Sequence, residues 1–136
     1  KNEFDVIIID STDPTAGEGG HLFTEEFYQA CYDALTENGV LSAESEDWMY
    51  DGAWLRLAYS RIKKTFPITK LYLGFMPTYP SGMWAYTFAS KGLDPLKDFN
   101  PGRVENFEEE LKYYNEEIHN ASFALPTFLK KELEQL

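Results

Sequence analysis

FDVIIID, residues 4–10, is a continuous apolar and β-branched run closed by an acid, the pattern of a parallel strand buried on both faces. A central strand is expected there. Residues 11–20 (STDPTAGEGG) are dense in turn formers and glycine, so they read as a loop leaving the C-terminal end of that strand, the edge at which open α/β sheets bind ligands. Working outward, Phe27, Ala30, Cys31, Ala34 and Leu35 recur at helical spacing behind Thr24 as N-cap, and Gly39 reads as the C′ residue that ends the helix. Residues 40–44 (VLSAE) form a short second strand. Asp51 is placed to cap a helix whose Trp54, Leu55, Ala58, Ile62 and Phe66 make one apolar stripe, and Pro67 stops it. Residues 68–75 and 83–90 read as strands flanking the loop 76–82 (MPTYPSG), forced by two prolines and a glycine. After Gly92 the composition turns to Asp, Glu, Lys and Asn. Asn100 and Pro101 stand at the start of a helix expected to carry Val104, Phe107, Leu111 and Tyr114, and a last helix follows Pro126. The order of elements is that of an α/β protein, a doubly wound sheet closed by an antiparallel strand pair and terminal helices.

The length of 136 residues suits one domain. Lys and Arg number 12 against 23 Asp and Glu, a net charge of −11, which repels phosphate backbones and anionic lipid and excludes nucleic acid and membrane surfaces as partners. Such a surface attracts small cations such as amines, although acidity also serves plain solubility. The single cysteine, Cys31, excludes an internal disulfide and reads as a small buried apolar group in a reducing compartment. No apolar run is long enough to span a membrane, and the N-terminus has no signal pattern, so a cytoplasmic location is expected. The chain begins with Lys1 rather than Met and enters a strand almost at once, which reads as a processed or partial chain.

Asp10 and Asp13 (DSTD) sit where the buried strand meets the ligand edge. An acid at a strand end is as often a turn former or a cap, so the position alone leaves both roles open. No His or Cys stands near enough to complete a metal set, and no metal is expected. GEGG at 17–20 lacks both the GxGxxG spacing and a P-loop lysine, and reads as loop. His21 and His119 are isolated, and no GxSxG elbow occurs. Tyr79, between Pro77 and Pro80, is presented by a constrained loop, although packing is the commoner fate of a tyrosine, whereas Trp84 and Tyr86 read as ordinary strand-face residues. Glu44, Glu46 and Asp47 end the second strand and would add carboxylates to the rim that carries Asp10 and Asp13. A pocket for a cationic, amine-bearing ligand and a solvated acidic loop both fit these residues.

Four segments together, FDVIIIDSTDP, HLFTEEFYQACYDAL, MPTYPSGMWAYTFASKG and LKYYNEEIHNASFALP, resemble the aminopropyltransferases of polyamine synthesis, the spermidine synthase family. The resemblance runs from Asn2 to the C-terminus and rests on the order and spacing of DSxDP, PTYPSG and YYN-x-x-x-H-x-ASFALP. It implies a Rossmann-like, methyltransferase-type fold that uses no metal or other cofactor. The reaction it implies moves the aminopropyl group of decarboxylated S-adenosylmethionine, a co-substrate, to putrescine, giving spermidine and 5′-methylthioadenosine. Carried over by motif, Asp10 matches the general base, Asp13 a carboxylate that holds the diamine, and Tyr79 the tyrosine lining the acceptor cleft. Ser11 falls inside the same substrate-binding motif. Glu44 stands where many members have Gln and is assigned to the acceptor side.

Family members also carry an N-terminal β domain and a glycine-rich donor loop with acids upstream of DSxDP, and nothing in this sequence corresponds to either. Residues 16–20 replace the GPA tripeptide that many members have after DSxDP. Residues 1–136 are therefore expected to be the C-terminal part of a methyltransferase-like catalytic domain, inactive alone. The full-length enzyme is expected to be a homodimer or homotetramer. An S-adenosylmethionine-dependent methyltransferase of the same fold and a non-catalytic assembly domain are the alternatives. Putrescine, cadaverine, agmatine and longer polyamines all remain open as acceptors.

Overall fold

A computed structural model of the chain describes residues 1–11, 21–107 and 109–136. Along the chain these form β1 (Phe4–Ile9), α1 (Glu25–Ala34), β2 (Leu35–Glu44), α2 (Gly52–Thr65), β3 (Ile68–Phe75), β4 (Met83–Ser90), α3 (Pro101–Glu105), α4 (Glu116–Ser122) and α5 (Thr127–Leu133). The strands make one mixed open sheet in the order β1-β2-β4-β3. β1 lies parallel to β2, and β4 runs antiparallel to both β2 and β3. β2 and β3 are therefore parallel to each other with β4 inserted between them, and β1, β2 and β3 all point their C-terminal ends to the same edge.

Side chains alternate across each strand. Ile9, Leu41, Ala43, Leu71, Leu73, Ala85 and Ala89 fall on one face, where they pack with Tyr28, Cys31, Leu55, Tyr59, Ile62, Phe66, Leu129 and Leu133 from α1, α2 and α5. Arg56 of α2 pairs with Glu132 of α5 at 3.2 Å across this layer. The register puts Ile8, Ser42, Glu44, Tyr72, Trp84, Tyr86 and Phe88 on the opposite face. There Tyr72 meets Phe123, the C-cap of α4, so helices lie against both faces of the α/β sheet. Among the described residues no helix is long and apolar enough to cross a membrane.

Three sequence expectations are corrected. β1 is the edge strand of this sheet rather than a central one, and Phe4, Val6 and Ile8 are 50%, 56% and 73% exposed. The helix begun at Thr24, whose side chain accepts from Phe27 N, ends at Ala34 rather than running to Gly39. Leu35 is fully buried and pairs with Phe4, after which the register jumps to Val6 opposite Val40. Gly39 serves close approach rather than capping, because a Cβ there would stand 3.0 Å from the Phe4 carbonyl oxygen and 2.9 Å from Leu35 Cδ2. The helix begun at Asn100 stops at Glu105, leaving Phe107, Leu111 and Tyr114 exposed. From non-helical backbone the three still line an apolar cavity against the sheet. The chain restarts at α4, where Asn115 accepts from Ile118 N.

Candidate functional site

The common C-terminal edge of β1, β2 and β3 builds the site. β1 delivers Asp10, β2 delivers Glu44, and the loop 76–82 between β3 and β4 delivers Tyr79. That loop is a closed unit: Met76 N donates to Gly82 O and Gly82 N donates to Tyr79 O, each at 2.9 Å, and Gly82 takes φ +70°, where only glycine is unstrained. The three side chains line one cavity of about 340 Å³ together with Ile8, Ile9, Ser42, Tyr72, Met76, Trp84 and Tyr86. That volume suits a small molecule.

Its walls are organised by aromatic rings. Trp84, buried, donates its indole N–H to Glu44 Oε1 at 2.7 Å, and Tyr79 packs on Trp84 with ring centroids 4.2 Å apart. Tyr86 stacks on Tyr72 at 5.1 Å, and the Tyr72 hydroxyl shares a 2.7 Å hydrogen bond with Ser42 Oγ. Gly74 makes room for this stack, since a Cβ there would stand 2.9 Å from Tyr86 Cε2. The Tyr86 hydroxyl is pushed above its ordinary pKa by burial first and then by its neighbours Tyr72, Glu44, Asp10 and Tyr79. Burial raises Tyr72 too, against the Ser42 bond. Phenols held neutral beside two carboxylates leave the cavity acidic, and Ile8, Ile9 and Met76 add apolar lining. Such a lining fits a short aliphatic chain that carries ammonium groups.

The sequence-predicted residues divide as follows. Asp10, Glu44 and Tyr79 come together on the cavity. Ser11 follows Asp10, half-buried, and does not line it. Asp13, the GEGG stretch at 17–20 and the departure at 16–20 lie outside the described residues. Glu46 and Asp47 do not join the rim, as both are buried behind it. Glu46 takes a left-handed φ of 69° where the backbone leaves β2, and its carbonyl accepts from Ala85 N. Asp47 accepts from Met49 N at 2.7 Å and Tyr50 N at 3.1 Å. Burial pushes the Asp47 carboxyl up, and Ser81 with those two N–H groups more than offsets this, holding it below its ordinary value. Among the described residues no three His, Cys, Asp or Glu side chains stand together as metal ligands. His119 is a packing hub away from the cavity, bonded to the Tyr114 hydroxyl and Pro95 O at 2.7 Å each and stacked on Phe99.

Sequence reasoning missed Trp84 and Tyr86, left as strand-face residues, and Ser42, Tyr72 and Met76. The period of a strand puts Ser42 on the face of Glu44, so that signal was present. Tyr72, Trp84 and Tyr86 become site residues only once the order β2-β4-β3 is known, and no local pattern announces that order.

Residues 1–101 match the family model described as the spermine/spermidine synthase domain. The chain is 79% identical over 133 residues to a protein of Thermotoga petrophila named polyamine aminopropyltransferase, a match that covers 98% of this chain and 45% of that protein. The protein of the same name from Caldicellulosiruptor saccharolyticus is 49% identical over 134 residues, covering 98% and 47%. Among solved structures, a spermidine synthase in complex with the transition-state analogue AdoDATO superposes with a TM-score of 0.94 at 75% identity, covering all of this chain and 46% of that one. Spermidine synthase from Thermotoga maritima superposes with a TM-score of 0.90 at 72% identity, with coverage of 100% and 45%. The chain thus spans less than half the length of the relatives it matches, and its fold is the methyltransferase-type α/β fold that the motifs implied.

Proposed function

The chain belongs to the spermine/spermidine synthase domain family, and from that premise we propose that it supplies the acceptor side of an aminopropyltransferase acting in the cytoplasm. The reaction carries the aminopropyl group of decarboxylated S-adenosylmethionine to putrescine and yields spermidine and 5′-methylthioadenosine. The observation that carries this reading is the convergence of Asp10 and Glu44 from neighbouring strand ends on one aromatic-walled cavity.

An alkylammonium with a pKa of about 10 is about one part in a thousand free base at neutral pH, a handicap of about 4 kcal/mol before attack begins. The Asp10 carboxylate takes that proton as the nitrogen attacks the methylene carbon bonded to the sulfonium. The C–N bond forms, the C–S bond breaks, and its electron pair returns to sulfur as a neutral thioether. The sulfonium is a good leaving group, so the protein's task is proton removal and alignment. Alignment of two bound reactants recovers about 7 to 11 kcal/mol. Glu44, fixed by the Trp84 indole, and Asp13 hold the second ammonium, Tyr79 covers the methylene chain, and Ser11 belongs to the same motif. The two carboxylates favour an amine acceptor over the neutral or anionic acceptor of a methyltransferase.

In this reading residues 1–136 are the C-terminal part of the catalytic domain, and the donor half and N-terminal β domain belong to a longer polypeptide that assembles as a homodimer or homotetramer. The test is incubation with decarboxylated S-adenosylmethionine and putrescine, with both products followed by mass spectrometry. A full-length enzyme bearing this sequence should form both, Asp10→Asn should lower kcat about 10²- to 10⁴-fold without altering the melting temperature, and the 136-residue chain alone should form neither. Silence of the full-length enzyme overturns the reaction. Turnover by the isolated chain at the full-length rate overturns the division into halves.

A further inference from the structure

Behind the carboxylate cavity lies a second, larger one of about 620 Å³, lined by apolar groups such as Val40, Phe88, Leu93, Phe99 and Phe107. Ser42 and Tyr72 are the described residues that line both. Tyr72 stands as a partition: one ring neighbour is Tyr86 of the carboxylate cavity, and the other, at 5.4 Å, is Phe123 of the apolar one. Its hydroxyl closes on Ser42 Oγ of β2 at 2.7 Å, spanning the sheet face above the intervening β4. We propose that the Tyr72–Ser42 pair is the acceptor-length determinant of this site, a wall that ends the carboxylate cavity and keeps acceptor substituents out of the apolar chamber behind it. This rests on the aminopropyltransferase reading.

The chemistry on the two sides of the wall differs. In front, carboxylates and hydroxyls face an aliphatic diamine. Behind, Asp94 is engaged by Lys70 at 2.8 Å and Asp98 by the Asp94 N–H at 2.8 Å. A longer polyamine reaching through would bring an ammonium into a lining that already carries the Arg103 guanidinium and whose Asp94 is ion-paired with Lys70. A hydrocarbon reaching through would meet apolar surface. Opening the wall should therefore admit an N-alkyl substituent on the diamine rather than an additional charged unit.

The experiment compares kcat/KM for putrescine, N-hexylputrescine and spermidine as acceptors in the full-length enzyme and in its Tyr72→Ala variant. The wild type should discriminate against N-hexylputrescine, and Tyr72→Ala should raise the ratio of N-hexylputrescine to putrescine at least about tenfold, since each buried methylene is worth roughly fourfold. Spermidine should gain much less. Tyr72→Leu keeps packing against Phe123 while removing the hydroxyl and the far edge of the ring. It should move the ratio in the same direction and serves if the alanine variant fails to fold. A merely structural role for Tyr72 would depress all three acceptors together and leave the ratios unchanged, which overturns the proposal, as does a larger gain for spermidine than for the alkyl diamine. If the wild type transfers nothing to putrescine, the reaction itself is wrong, a failure distinct from an unchanged ratio.

Discussion

The two faces of the sheet are made by the same strands and do opposite work. Along β2, Leu41 and Ala43 point into the helical layer and are fully buried, while Ser42 and Glu44 face the cavities. Along β4, Ala85 and Ala89 belong to the packed layer, and Trp84 and Tyr86 line the acidic cavity. The face packed by α1, α2 and α5 is built mainly of aliphatic and aromatic side chains, so its contribution is cohesion. The other face carries hydroxyls, an indole and a carboxylate: Trp84 bonds Glu44 of the adjacent β2, and the Tyr72 hydroxyl reaches Ser42 across the intervening β4. Because successive residues alternate in direction, a change of one position along a strand moves a substitution from stability to chemistry. The contrast is open to test by substitutions on each side.

The largest effect belongs to the packed face. Leu41 is fully buried among Ile9, Leu35, Ile62 and Phe66, and Leu41→Ala should lower stability by about 2 to 5 kcal/mol, read from denaturant or thermal unfolding. Enzyme that remains folded should keep its kcat/KM. If activity fell as steeply as stability, the two faces would be coupled and the division would fail.

On the cavity face, Glu44→Ala should do the reverse. It removes an acceptor carboxylate and strands the Trp84 indole N–H, a charge-assisted bond of the order of 1.5 to 3 kcal/mol. The KM for the diamine should rise roughly ten- to a hundredfold with a smaller change in kcat. Glu44→Gln retains an acceptor for Trp84 and loses only the charge, so its KM should fall between wild type and Glu44→Ala. Equal KM values for Gln and Ala would mean that the charge, not the bond to Trp84, is what positions the acceptor. Equal values for Gln and wild type would remove Glu44 from recognition of the cation.

How much of this was legible in the sequence follows the range of the interactions involved. The bounds of β3 and β4 were readable because Pro67, the MPTYPSG loop and Gly92 punctuate them within a few residues. Asp10, Glu44 and Tyr79 were readable as an ending acid, another ending acid and a ring held between prolines, and the fold brings the three to one cavity. The misreadings were long-range. Gly39 looked like a helix stop because glycines often are, whereas its reason is the Phe4 carbonyl on another strand. Phe107, Leu111 and Tyr114 had helical spacing, yet they line the apolar cavity from non-helical backbone. Trp84 and Tyr86 alternate as any strand residues do. Only the insertion of β4 between β2 and β3 brings one against Glu44 and the other against Tyr72.

The smallest effect expected lies between the faces, at Asp47, where the chain leaves β2 behind the cavity. Its carboxylate accepts from Met49 N and Tyr50 N and lies by Ser81 of the tyrosine loop, which keeps it ionised below its ordinary 3.8. A carboxyl with a lowered folded-state pKa adds stability that is fully present above the unfolded value and is lost as pH falls through the folded one. Asp47→Asn keeps an oxygen acceptor for the two N–H groups, so at pH 7 it should cost no more than about 1 kcal/mol. The difference between variant and wild type should then shrink as pH falls below about 4, where the carboxyl of the unfolded chain takes up its proton, and vanish once pH has passed the lowered value of the folded state. Thermal unfolding of both proteins between pH 7 and pH 3 measures this directly. A gap that stays constant over that range would show that shape, not charge, is what Asp47 contributes. If the same variant raised the diamine KM, Ser81 and the Tyr79 loop would be shown to take their position from the buried side of the sheet.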